Sequence, residues 1–158
     1  MRNPYLYLAL TGLLLSGCFR KPPQPETALF RDFSLASVVE GMKVPELQSL
    51  SAGGGGSESL GDIVRRRRDS NATYKIAERE GSKFNEARFI TQLKAEVDKV
   101  IGASGVRLDG SGSDNDNFHL DYSDQGHTGS LEVFGTRTEG NQFKLWSVLR
   151  ENTQAVKK

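Results

Sequence analysis

From Asn71 to Lys158 the chain contains no proline, and its apolar residues keep first a helical period and then a period of two. This change of period narrows the possible folds more than any other feature. Phe84, Ala87, Ile90, Leu93, Val97 and Val100 or Ile101 recur at spacings of three and four, while Glu86, Arg88, Lys94, Glu96, Asp98 and Lys99 occupy other faces. With Ser82 as an N-cap and Gly102 or Gly105 as a terminator, the spacing predicts an amphipathic helix ending near Ile101. Before it, Tyr74 and Ile76 alternate with polar residues, which predicts a strand over Thr73 to Glu78. After it, Val106 and Leu108, then Phe118, Leu120 and Tyr122, then Leu131 and Val133, then Phe143 to Leu149 read as four strands. Asp124-Gln125-Gly126 and Glu139-Gly140-Asn141 supply turns, and joints this short permit only antiparallel neighbours. The expected fold is a small α+β domain over 71–158, order β-α-β-β-β-β, with one helix packed on an antiparallel sheet.

The first half of the chain reads differently. All five prolines precede residue 46, and four glycines run from Gly53 to Gly56. Composition of this kind predicts a flexible, disordered tether over 18–70, with an r.m.s. span of roughly 40 Å. Leu29, Phe30, Phe33, Leu35, Val38 and Val39 form a partial helical stripe inside it, read as scattered apolar residues or a segment that meets a membrane or partner.

At the amino terminus, Arg2 precedes an uncharged run from Tyr5 to Leu15 and the small residues Ser16 and Gly17. This is the layout of a secretory signal peptide, and the run is short of the about 20 apolar residues that span a bilayer. Leu15-Ser16-Gly17-Cys18 resembles the lipobox of bacterial lipoproteins. The resemblance implies removal of residues 1–17 by cleavage between Gly17 and Cys18, and a diacylglyceryl thioether on Cys18. Two or three acyl chains anchor a protein stably where one is marginal. In Gram-negative lipoproteins an Asp after the cysteine commonly retains the protein in the inner membrane. Phe19 stands there in this chain, so the resemblance implies the outer membrane, facing the periplasm.

Charge excludes one class of partner. Against 21 Lys and Arg stand 20 Asp and Glu, so bulk attraction to nucleic acid is absent, and export removes the protein from it. Arg65, Arg66, Arg67 and Arg68 form the one conspicuous charge run, a possible contact for an anionic lipid or another envelope polyanion. A single cysteine and two histidines supply neither a disulfide framework nor a metal centre. Asp109 to Asp116 spaces oxygen ligands as a calcium loop does, yet the twelfth position is Leu120 in place of a bidentate Glu. No phosphate-binding glycine loop and no Gly-x-Ser-x-Gly is present, so the sequence calls for no cofactor.

Two functional expectations follow. The first is a non-enzymatic, membrane-anchored binding or structural module that recruits another envelope component, a protein partner above all. The alternative is a small-ligand or metal-binding protein or enzyme around His119, Asp121 and His127, the first two on one strand face and the third in the next turn. Phe134 and Trp146 bear on the choice. Strand phase puts both on the uncovered face as a binding surface, whereas a bulge near Gly135 shifts both into the core.

Overall fold

The computed structural model describes residues 25–54 and 65–153. Three helices, α1 (Ala28–Asp32), α2 (Leu35–Met42) and α3 (Glu86–Ala103), lie with six strands. The strands are β1 (Leu47–Gly54), β2 (Arg65–Ile76), β3 (Arg107–Ser113), β4 (Asn117–Asp124), β5 (His127–Thr138) and β6 (Gln142–Thr153). They form one sheet in the order β1-β2-β6-β5-β4-β3, antiparallel throughout. The α+β expectation and the order of elements from residue 71 onward match this arrangement.

Residues 25–54 correct the expected tether. Thr27 caps α1, Ser34 caps α2, and β1 adds an edge strand beside β2. Leu29, Phe30, Phe33, Leu35 and Val39 are buried in the same core as the later elements. The reason is coverage. Six strands spaced about 4.8 Å apart present a face roughly 24 Å wide, and one helix with its side chains is only about 10 Å across. α3 packs on β3, β4 and β5, whereas α1 meets β6 and α2 meets β2. The apolar stripe in the first half covers what the predicted helix leaves bare. The expected boundary between residues 70 and 71 falls inside β2, while Cys18 and the cleavage site lie outside the described residues.

α3 starts later than Ser82. Asn85 is the N-cap, its side chain accepting from the Arg88 N–H at 2.8 Å. Ser82 is held in a tight turn with Arg79, and its hydroxyl donates to Glu46. The buried stripe is Phe89, Ile90, Leu93, Val97 and Ile101, leaving Ala87 and Val100 exposed. Phe84, just before the helix, packs with Phe89 and Phe143 at ring separations of 5.4 and 5.1 Å. β5 pairs with β6 continuously through Gly135, without a bulge. A Cβ at Gly135 would lie 2.6 Å from the Phe143 ring and 2.8 Å from Ile90, so this glycine lets α3 settle on the sheet.

Candidate functional site

Strand alternation sends every second side chain to the face opposite the helices. With the phase unbroken at Gly135, Phe134 and Trp146 both fall on that uncovered face, directly opposite each other, and are 42% and 40% exposed. The exposed placement therefore holds, and the core alternative does not. Cross-strand register extends the pair into a row: Gly53 opposes Asn71, Asn71 opposes Trp146, Trp146 opposes Phe134, and Phe134 opposes Asn117. Two aromatic rings flanked by two amides thus span four strands, a width of roughly 14 Å at the usual strand spacing. The Asn71 amide lies against Gly53, where a Cβ would sit 3.3 Å from its oxygen. Beside Trp146, a shallow depression of about 350 Å³ is lined by Arg67, Asp69, Asn71 and Val148 together with Gly53 and Gly54.

Apart from Val148, the neighbouring rows on this face are polar, and several of their charges are locally paired. Arg67 and Arg150 are directly opposite. Each is offset by a carboxylate: Arg67 by Asp69 at 2.9 Å, Arg150 by Glu132 at 2.7 Å. His119 lies over Gly112, whose missing Cβ leaves room for the imidazole. Asp121 follows on the same face, against Gly110.

The histidines of the alternative site are separated by the sheet. His119 and Asp121 share the uncovered face, but His127 faces the helices, 8% exposed, with Nε2 3.0 Å from the Pro25 carbonyl. The register explains this: His127 opposes Asp124, and Asp124 lies an odd number of residues from both His119 and Asp121. Among the described residues no three His, Cys, Asp or Glu side chains cluster as a metal would need. Asp109 of the calcium-like run bonds the Arg107 side chain at 2.7 Å, and Asp114 accepts from the Asn115 N–H at the turn, so each of these carboxylates has a local partner.

The arginine run is likewise divided. Arg65 and Arg67 alternate to the uncovered face, whereas Arg66 and Arg68 turn under the helices. Arg68 donates to the carbonyls of Phe33 at 3.2 Å and Arg31 at 2.9 Å, and its guanidinium stands 5.1 Å over the Phe30 ring. It closes the C-terminal end of α1. Arg66 pairs at 3.1 Å with Glu151, whose side chain is 0% exposed.

Glu151 organises a buried polar cluster that sequence reasoning missed. It accepts from the Thr27 N–H at 3.2 Å and from the Thr27 hydroxyl, in addition to Arg66. Gly129, directly opposite Glu151, leaves the space that the Tyr122 ring fills, and the Tyr122 hydroxyl donates to the Arg150 carbonyl at 3.2 Å. Burial, then the nearby Glu151 charge, pushes the Tyr122 hydroxyl well above its ordinary value. Burial likewise pushes Tyr74 up to about 12. With His127 on Pro25, this cluster fixes the point where the chain enters the fold. The only signal for it was a Glu standing at an inward position of a strand whose preceding inward residues are Phe143, Leu145, Ser147 and Leu149.

No helix among the described residues is long and apolar enough to cross a membrane. Compared with known protein families, characterised proteins and solved structures, the chain matches none.

Proposed function

We propose that the chain is a lipid-anchored bacterial envelope protein without catalytic activity, held in the outer membrane through Cys18. In this reading its uncovered sheet face binds another envelope protein. The observation that carries the binding role is the Phe134–Trp146 pair, exposed in the middle of a face that no helix among the described residues covers. Aromatic anchors ringed by polar side chains are the usual centre of a protein–protein contact. Arg65 and Arg67, on the same face, are positioned to meet anionic groups at its edge. The lipobox supports the anchor.

The folded N-terminal segment changes the geometry of that anchor. Pro25 comes only seven positions after Cys18, a distance of at most about 25 Å when fully extended. The domain therefore works close to the bilayer, within reach of partners embedded in or lying on the same membrane.

The test is site-specific photocrosslinking in intact envelopes. A crosslinker at Thr136, beside the aromatic pair, is expected to give a discrete protein adduct, and Phe134→Ala with Trp146→Ala to reduce its yield at least tenfold. A crosslinker at Gln92, on the helical side, is expected to give none. Equal adducts from both positions, or none from Thr136, would sink the assignment.

A further inference from the structure

Among the described residues the helical layer is not closed. Between α1 and α2 on one side and the C-terminal half of α3 on the other lies a groove of about 650 Å³, within the range of small-molecule sites. Leu29 and Phe33 line its buried part, and Val38, Val100 and Ala103 contribute apolar surface nearer solvent. Val100 is 36% exposed although it continues the apolar pattern of α3. Asp32 and Glu96 stand among the lining residues, paired respectively with Arg31 at 2.8 Å and Lys99 at 2.6 Å.

We infer that this groove receives an acyl chain carried on Cys18 whenever that chain is outside a bilayer. The inference rests on the lipid-anchor reading above. Two observations select this occupant. The first is where the chain outside the structure ends: Ala28 lines the groove, and Pro25 and Thr27 are pinned just before it by His127 and Glu151. Cys18 is ten residues from Ala28, a reach of up to about 35 Å, so the lipid cannot be far from the groove mouth. A tethered ligand acts at an effective concentration in the millimolar range, which fills even a weak site. The second is charge. Among the described residues the lining contributes no Lys or Arg to hold a carboxylate or phosphate, and its two carboxylates, Asp32 and Glu96, are already offset by Arg31 and Lys99, which suits an uncharged hydrocarbon chain better than a fatty-acid carboxylate or an anionic phospholipid head. In a bilayer, insertion of two or three chains outcompetes the groove, so occupancy belongs to the protein in transit between membranes.

The experiment uses the full mature chain, lipidated and as Cys18→Ser, in detergent-free buffer, with methyl NMR and sedimentation. The lipidated chain is expected to show the Val38, Val100 and Ala103 methyls shifted from their positions in Cys18→Ser and in contact with acyl protons. Val38→Trp and Ala103→Trp, each filling the groove from a different side, are expected to abolish those contacts and drive the lipidated chain into aggregates. Unshifted methyls in a chain whose mass includes the diacylglyceryl group overturn the groove inference and leave the anchor standing. Absence of that mass overturns both. Contacts from Leu60 or Ile63 to the groove methyls in Cys18→Ser would assign the groove to residues 55–64 and also overturn it.

Discussion

The two faces of the sheet are near mirror images in composition, and each has a main exception. The covered face is apolar around Leu145, Leu131 and Val133, is interrupted by the Ser70–Ser147 hydroxyl pair, and at the end where β6 stops meets a charged and polar group of Glu151, Arg66, Arg68 and His127 beside Thr27. The uncovered face is polar until, at its middle, it meets Trp146, Phe134 and Val148. The exceptions differ in what folding demands of them. A charge under the helices must be paired, because an unpaired buried ion costs several kcal/mol, and Glu151 has three donors from two segments. An aromatic pair in solvent needs no partner for the chain to fold, so its presence is free to serve contact with another molecule.

The largest expected effect tests the first exception. Glu151→Ala leaves Arg66 buried without its carboxylate and strips the Thr27 N–H and hydroxyl of their acceptor. Breaking one side of such a pair costs about 3–5 kcal/mol, read as a shift in the denaturant midpoint. Replacing both ions by apolar residues of similar size, Glu151→Leu with Arg66→Met, is expected to restore most of that loss, because no charge is left unpaired. A double variant as unstable as the single one would mean that Glu151 acts mainly through Thr27, and the comparison would then rest on the entry of the chain instead of on a buried ion pair.

That entry is also where the sequence was least readable. The α3 stripe and the strands from Asn117 to Thr153 declare themselves, because most of their buried positions are filled by Ile, Leu, Val, Phe and Tyr at regular intervals. The start of β2 does not, since its inward positions are Arg66, Arg68 and Ser70, which satisfy carboxylate, carbonyls and hydroxyl and leave no apolar alternation to see. β1 is harder still: Gln48 to Gly54 is exposed throughout, and what places it is the backbone ladder to β2. Strands defined by main-chain pairing carry almost no side-chain pattern. On the uncovered face, the placement of Trp146 and Phe134 depended on one fact, whether β5 keeps its register at Gly135. His127 failed for the same kind of reason, since a turn residue and a strand residue do not announce which face they will share.

The next largest effect separates a folded N-terminal segment from a tether. Phe30 is 0% exposed under the Arg68 guanidinium, in a segment whose composition reads as linker. Phe30→Ala is expected to cost about 3 kcal/mol, the lower end of the range for emptying a buried phenylalanine site. Denaturant unfolding measures it, and proteolysis sharpens it: cleavage within residues 25–46 should accelerate in Phe30→Ala and stay slow in the unaltered chain. Loss of less than about 0.5 kcal/mol, the range of an ordinary surface change, would return these residues to the tether.

The smallest effect on stability belongs to the uncovered face, and its smallness is the informative part. Phe134 and Trp146 oppose each other across β5 and β6 with about three-fifths of each covered, so they contribute a cross-strand contact and little else to the fold. A double-mutant cycle through Phe134→Ala and Trp146→Ala is expected to give a coupling of about 0.5–1 kcal/mol, within the measured span for aromatic pairs. Stability of the double variant should fall far less than that of Glu151→Ala, while the Thr136 adduct disappears. A loss of stability as large as that of Glu151→Ala would place the pair among the residues that hold the sheet together, and the contrast between the two faces would close.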